Sequence, residues 1–310
     1  MNIARNALYS LALSISALAT PVAAATVDAG EIISSFGLVA LNNLTASSET
    51  MVRAYVGGDL QSNGYTVNNN RIGNASIDGV SGALIVGGNV SGNDINVLDG
   101  DASVGSVTGT INVVSGNSLN TGVSVAADDV TDALQDLSIE LSGMATTSGA
   151  VLNAADQNLM SIQSGTASGS DFAVLNVAEA YENFLSTGTI TSVANSGTLI
   201  VNVPGETVMI QANANAGDSN VLFNFYEATN LTVNSTFDYG ILAPLADLML
   251  QGGGTNTVVV GYNVTQRTEV RGSFTGTLPS VAPVPLPASG LLLLGAIAGT
   301  TVLRRRKSKA

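Results

Sequence analysis

The sequence predicts a mainly β protein: a β-solenoid (β-helix-like) domain with one α-helix packed alongside it. Short runs with period-2 alternation, rich in β-branched residues and separated by Gly and Asn, indicate strands and tight turns. The segment Ala54–Leu60 recurs as Leu84–Val90, and each copy is a short strand that ends at Gly-Gly. Recurrence at this period favours a coil of stacked rungs. A β-sandwich, which also has evenly spaced short strands, is the alternative.

The helix is predicted from an apolar stripe at helical spacing, formed by Val130, Leu134, Leu137, Leu141 and Met144. Acidic residues precede and open it, where the helix dipole favours anions, and Gly143 is a plausible end. Glycines are expected to give positive φ at the solenoid corners, and asparagines to stack there as ladders.

Strands are expected again from Thr198 onward, whereas segments 151–162 and 172–185 fit helix or strand equally well. We expect Phe223 and Phe225 to face the core and Asn224 to bond backbone at a corner. The alternative is that Tyr226 and Glu227 form a sugar-stacking surface.

The two ends of the chain predict export. Residues 1–25 have a positive start, an apolar stretch and small residues before a cleavage site after Ala25, as in a signal peptide. Residues 273–287 form a tether that ends in Val284, Pro285, Leu286 and Pro287, followed by Ala288. Residues 288–303 predict a short transmembrane helix, and residues 304–310, which include Arg304, Arg305 and Arg306, a basic cytoplasmic tail.

This tail resembles the PEP-CTERM class of sorting signals in its Val-Pro-Leu-Pro-Ala variant. The resemblance implies that an exosortase-like membrane protease removes the tail. The body would contact the membrane only through the tail helix before processing. It would pass transiently through the inner membrane to the cell surface or extracellular matrix. Leu286 stands where the commoner form of the motif has glutamate, which leaves the identity of the processing enzyme open.

Composition excludes several functions for the region between the two signals. This region holds four arginines, no lysine and all 23 acidic residues, a formal charge of −19. Nucleic-acid binding is not expected, because phosphate contacts need basic side chains. The chain has no His and no Cys, so zinc sites and His-based nucleophilic catalysis are not expected either. We therefore predict no enzyme and no cofactor. A carboxylate-based glycan hydrolase using Asp99 with Asp101, or Asp128 with Asp129, is the alternative from another class.

Two further alternatives are a calcium-dependent adhesin and an ice-binding adhesin. Calcium takes oxygen ligands, and the weak candidates are Asp94, Asp99 and Asp101, whose spacing does not fit a known calcium loop. Rows of Thr, Asn and Ser could order water, but the Thr-x-Thr pairs are scattered. The four arginines are expected to pair with nearby carboxylates.

The body, assigned to residues 26–272, resembles the choice-of-anchor A domain. The resemblance is carried by 55–59, 84–89, the helix, Val221–Thr229 and Gly240–Pro244, although Leu245 stands where that family has Asn. It implies a structural or adhesive protein of the cell surface or exopolysaccharide matrix of a biofilm. The implied partner is an extracellular polysaccharide or a matrix protein.

Overall fold

A computed structural model describes residues 27–165, 172–178, 184–193, 197–214 and 220–279, and in it the chain forms a parallel β-solenoid. The predicted signal peptide with Ala25, the motif 284–288, the membrane segment 288–303 and Arg304 to Arg306 lie outside the described residues. Within the described ranges, no helix has the length and apolar character needed to cross a membrane.

The described part contains two helices, α1 (Ala29–Ser35) and α2 (Ala127–Gly143). Its strands, in chain order, are β1 (Leu38–Ala40), β2 (Leu44–Ala46), β3 (Glu49–Thr50), β4 (Ala54–Val56), β5 (Leu60–Val67), β6 (Ala75–Ile77), β7 (Val80–Gly82), β8 (Leu84–Val97), β9 (Ala102–Val107), β10 (Ile111–Val113), β11 (Leu119–Thr121), β12 (Ala150–Asn153), β13 (Leu159–Ser164), β14 (Phe172–Asn176), β15 (Thr189–Val193), β16 (Thr198–Asn202), β17 (Thr207–Ile210), β18 (Val221–Asn224), β19 (Asn230–Val233), β20 (Gly240–Leu250) and β21 (Val259–Gln266).

The solenoid has three sides, each a ladder of parallel strands. Side A runs in the order β14, β16, β18, β20, β21, β1, β4, β8, β9 and β11, using the first part of each long strand. Side B runs in the order β17, β19, β20, β21, β2, β5, β8 and β9, using the later parts of β20, β21 and β9. Side C contains β3, the ends of β5 and β8, and β10, and continues through the bridges Thr50↔Val270 and Thr255↔Val270.

The order of rungs differs from the order of the chain. β1, the first strand, lies between β4 and β21, the last strand, with Val39 paired to both Tyr55 and Val260. The chain therefore builds one half-stack outward from the middle, from β1 to β11. Helix α2 leads back along the side, and the second half-stack runs inward from β14 to β21.

The interior of the solenoid is one continuous hydrophobic cluster. In the second half-stack its centre is Phe223, whose ring stacks on Tyr239 at 5.5 Å and meets Phe237 edge-on at 5.0 Å. The first half-stack is filled largely by Val, Leu, Ile and Ala, with Tyr65 fully buried and donating a 2.9 Å hydrogen bond to Thr50. Removal of these side chains from water is the main force that closes the solenoid.

A second hydrophobic cluster lies outside side A, under the two helices. The predicted stripe of α2 is confirmed, since Val130, Leu134, Leu137 and Leu141 are buried against outward residues of side A. Helix α1 was not predicted. It is seven residues long, and Asp28 caps it by accepting hydrogen bonds from the backbone N–H groups of Gly30 and Glu31.

Three asparagines on successive rungs of side A bind the C-terminal half of α2. The Nδ2 groups of Asn224, Asn202 and Asn176 donate to the carbonyl oxygens of Ser138, Leu141 and Met144 at 2.7–2.8 Å. Asn224 also donates to Asn202, which donates to Asn176. Three helical residues rise about 4.5 Å and neighbouring strands lie about 4.8 Å apart, so carbonyls and rungs stay in step. The prediction that Asn224 bonds backbone is therefore confirmed, but this backbone belongs to the helix and not to a corner.

The expectation of positive φ was wrong for the recurring Gly-Gly corners. Gly57, Gly87 and Gly105 do not have positive φ. They stack on one another where successive rungs turn off side A, and a Cβ on Gly87 would lie 2.3 Å from the carbonyl oxygen of Gly57. Close approach of backbones, and not a left-handed conformation, requires glycine at these positions.

The repeat predicted stacked rungs, and its two copies are neighbours in the stack. Ala54 pairs with Leu84, and Leu60 with Val90, so equivalent residues of the two copies are neighbours in the ladder. The described parts of the two ambiguous segments contain the strands β12, β13 and β14, together with turns and a 3-10 turn at residues 184–185.

We predict that Asn224→Ala lowers the free energy of unfolding by about 2–3 kcal/mol, because Ser138 and Asn202 lose a buried hydrogen-bond partner. Urea denaturation followed by circular dichroism measures this. Asn230→Ala removes an exposed asparagine of the same fold and should change stability by less than about 0.5 kcal/mol. Equal losses in the two variants would contradict the role given to Asn224.

Candidate binding face

No helix packs on the outward surface of side B among the described residues. Its strands alternate buried and outward residues, as in β2 and β20. The outward residues form two parallel rows. We call the one nearer side A the corner row; it comprises Thr207, Asn230, Asp247, Asn263, Asn43, Asp59, Asn89 and Ser106. Two residues further along each strand is the central row, comprising Met209, Thr232, Met249, Thr265, Thr45, Gln61, Ser91 and Thr108.

The corner row is held by hydrogen bonds that run from rung to rung. The Nδ2 group of Asn263 donates to Asp247 at 2.7 Å, and Asn263 Oδ1 accepts from the backbone N–H of Asn43 at 3.2 Å. In the same way the backbone N–H of Asp59 donates to Asn43, and that of Asn89 donates to Asp59. This confirms the expected asparagine ladder at a corner, and aspartate takes the same place in two rungs.

The ladder fixes side-chain oxygens and amides at the strand spacing of about 4.8 Å, over about 24 Å for the six rungs from Asp247 to Ser106. The corner row is exposed or half-exposed in every rung, and the central row stands beside it. Because side chains are already held by their neighbours, a ligand loses little affinity in ordering them. The arrangement suits many weak polar contacts with an extended partner.

The two halves of side B differ in their apolar content. In the second half-stack, Met209 lies in the central row and Leu245 and Tyr262 lie at the adjoining corner, with 50%, 44% and 38% of their surfaces exposed. In the first half-stack the central row is polar throughout, from Thr45 to Thr108. A partner lying along the face would meet the apolar residues in one half and only hydroxyl and amide groups in the central row of the other half.

A family model described as "Putative Ice-binding-like adhesive domain" matches residues 29–272. The chain belongs to this family. Among solved structures, the adhesive domain is similar to a glycosylated ice-binding protein from an Arctic yeast. The two sequences are 12% identical, the match covers 83% of this chain and 98% of the other, and the TM-score is 0.30. No match is found among curated proteins.

Two of the three calcium candidates accept hydrogen bonds from other loops. Asp99 accepts from the backbone N–H of Gly73 at 2.8 Å, and Asp101 accepts from Asn74 and from the backbone N–H of Ser118. Asp94 lies in β8 with a φ of 56° and is exposed. Across the described ranges, no three or more His, Cys, Asp or Glu side chains are grouped so that they could hold a metal ion.

The carboxylate pairs proposed for glycan hydrolysis are not placed in a cleft. Asp128 and Asp129 are exposed in the first turn of α2. A shallow cavity of about 110 Å³ lies elsewhere, between α1 and the β6–β7 hairpin, and its acidic residues are Asp28, Glu31 and Asp78.

The arginines pair with carboxylates less than expected. Within the described part of the chain, only Arg271 forms a salt bridge, with Glu269 at 2.8 Å. Arg53 instead donates to the backbone carbonyls of Ser35, Ile72 and Gly73. It therefore fastens the loop after β5 to the end of α1.

The sequence analysis expected an asparagine ladder but did not identify the residues of the two rows, because it searched for Thr-x-Thr pairs. The signal that was present is Asn-x-Thr or Asn-x-Ser, at Asn43, Asn89, Asn230 and Asn263. The asparagine joins the corner row, the middle residue is buried, and the hydroxyl residue joins the central row. Irregular distances along the chain hide the pattern, because the loops between rungs differ in length.

Asp238 is a buried carboxylate, and its neighbours in sequence, Phe237 and Tyr239, are core aromatic residues. It is 6% exposed, and its Oδ1 has no hydrogen-bond partner among the described residues. Burial raises the pKa of Asp238, while the charge of Arg271 and hydrogen bonds from Asn256 oppose the rise.

We predict that Asp238 makes the fold less stable as pH rises. The folded state, in which the pKa of Asp238 is raised, binds the proton more tightly than the unfolded state. The contribution of Asp238 to the unfolding free energy therefore falls from about pH 4 to the folded pKa and is constant above it. Asp238→Asn cannot titrate. Urea denaturation across this range should show the wild type losing stability relative to the variant as pH rises. A difference that is constant with pH would contradict the prediction.

Proposed function

We propose that the protein is an exported adhesin of the cell surface or extracellular matrix, and that side B is its binding face. The observation that carries this proposal is the pair of rows on side B, which repeats the same polar groups along the solenoid. Membership of an adhesive-domain family supports the adhesive role. The inferred partner is an extended polar polymer, either an extracellular polysaccharide or a matrix protein.

The chemistry of side B favours hydroxyl-rich polymers. Amide groups of Asn and Gln and hydroxyls of Thr and Ser can both donate and accept hydrogen bonds, as sugar hydroxyls do. The exposed Tyr262 and Leu245 offer apolar area at the corner for the faces of sugar rings. A strongly anionic polymer is disfavoured, because Asp59 and Asp247 lie within the corner row and the region between the signals carries −19.

The protein acts in this proposal without catalysis and without a cofactor. Contacts are multiple and individually weak, so binding strength depends on how many rungs a polymer meets at once. Met209, Met249 and Gln61 interrupt the hydroxyls of the central row. A mixed row of this kind fits a flexible polymer better than a crystalline surface such as ice.

We predict that Thr45→Lys with Thr265→Lys, at the centre of side B, reduces binding to purified matrix polysaccharide by at least about tenfold. Bulky side chains there separate the polymer from both rows, and loss of one side of a multivalent contact lowers avidity by about 10²–10⁴. A pull-down at fixed salt measures this. Ser148→Lys with Asp156→Lys, on exposed residues near the β12–β13 hairpin, is the control and should bind as the wild type does. Equal binding by the side B variant and the wild type would exclude side B.

We further propose that the terminal signals direct the chain as their sequences predict. Intact-mass measurement of the protein from the cell surface should show loss of residues 1–25 and of the segment beyond about Pro287, with a mass added at the new C-terminus if an anchor is attached. A surface form that retains Arg304, Arg305 and Arg306 would contradict processing by an exosortase-like protease.

A further inference from the structure

The two ends of the solenoid are finished differently. At the β14 end, β12 pairs antiparallel to β13 and closes the ladder. The segment after α2 also covers β14, since the backbone N–H of Thr147 donates to the carbonyl of Val174 at 2.8 Å and Thr146 accepts from the N–H of Asn176 at 3.1 Å. We call this the capped end.

The opposite end has no such cover among the described residues. Its last rung consists of the end of β9 with β10 and β11, and each of β10 and β11 pairs with a single described strand. All three residues of β11 are exposed, and Leu119 and Val114 are among the most exposed apolar residues, at 42% and 38%. We call this rung, residues 106–123, the open end.

The open end also lacks charge. Residues 102–127 contain no Asp, Glu, Lys or Arg and no Pro, in a region between the signals whose formal charge is −19. Exposed sheet edges are ordinarily blunted by lysine, proline, charge or a covering element, because they otherwise pair with another strand. β10 and β11 are short, at three residues each, but neither carries a charge or a proline. Elsewhere on the surface, like charges oppose contact between two copies, whereas at the open end this repulsion is weakest.

We propose that the open end is an interface between two copies of this chain, joined end to end about a two-fold axis. An axis perpendicular both to the stack and to β11 reverses the direction of β11, so its free edge would pair antiparallel with β11 of the second copy. A two-fold contact uses the same surface on both copies and closes on itself. Because the other end is capped, assembly stops at the dimer and does not continue into a filament.

The direction of the segment after β21 determines how the two copies of this dimer would be oriented. After β21 the chain runs toward the capped end. Thr275 donates to Asn220 beside β18, Gly276 lies against Thr198 at the start of β16, and Leu278 packs on the helix-side cluster. The two copies would therefore send their C-termini toward opposite ends of a double-length rod. Two surfaces that each display the protein would be joined by this contact, without use of side B.

The chain has no cysteine, so single-cysteine variants report the contact without interference. Asn120→Cys, at the middle of β11, places a thiol beside the two-fold axis, and Ser148→Cys places one at the capped end as the control. In the full chain, purified in mild detergent, mild oxidation should convert Asn120→Cys to a covalent dimer at least about tenfold faster, since a disulfide needs Cα atoms about 4.4–6.8 Å apart. Equal rates for the two variants would overturn the proposal.

Sedimentation analysis of the cysteine-free chain gives an independent reading. We expect a concentration-dependent dimer that Leu119→Lys with Thr121→Lys converts to monomer, because paired copies would then bring four positive charges together. Thermal unfolding that matches the wild-type monomer shows that the variant folds. A persistent dimer of the folded lysine variant, or a wild-type series of higher oligomers, would also overturn the proposal. Binding of polysaccharide through side B should be unaffected by these lysines, which separates this inference from the proposed function.

Discussion

The pairing of the first strand with the last holds the solenoid together. β1 and β2 pair with β21 on sides A and B, while β4 and β5 pair with their other edges. The interior cluster crosses this junction without a break. Without β21, the first half-stack would expose one edge of β1 and β2, and the second would expose an edge of β20. Both half-stacks thus depend on eight residues near the end of the body.

Helix α2 spans the same junction on the outside. Its N-terminal approach lies over the stacked glycines, where Ala127 and Val125 are close to Gly57 and Gly87. Its C-terminal half reaches β18, β16 and β14 through the asparagine contacts. The nearly equal spacing of helical carbonyls and strand rungs lets one regular element bind another along its length. The helix consequently joins the two half-stacks, and it covers side A but not the outward surface of side B.

The features that the sequence predicted are those that depend on local periodicity. Alternation predicted the strands, the recurrence of Ala54–Leu60 predicted stacked rungs, and the apolar stripe predicted α2. The order of rungs could not be predicted, because a strand at residue 38 and one at residue 259 share no local pattern. Helix α1 is too short for its periodicity to stand out. The rows of side B depend on rungs that are far apart in sequence, so their members look scattered until the chain is folded.

The same distinction applies to individual residues. Calcium, paired-carboxylate and salt-bridge hypotheses rested on residue type, and type alone does not say what backbone group lies nearby. Asp99, Asp101 and Arg53 are taken up by neighbouring N–H or carbonyl groups of the main chain. In a solenoid, each corner leaves backbone N–H and carbonyl groups outside the ladders, and polar side chains form hydrogen bonds with these groups.

The central position of β21 also governs the order in which this molecule can be assembled. A chain delivered N-terminus first can stack residues 38–121 as they emerge, yet β1 keeps one edge without its partner until residue 259 arrives. The strand at the centre of the stack, β21, is therefore the last strand to be added. If delivery pauses before β21 emerges, the unpaired edges of the partly folded chain can pair with the wrong strand.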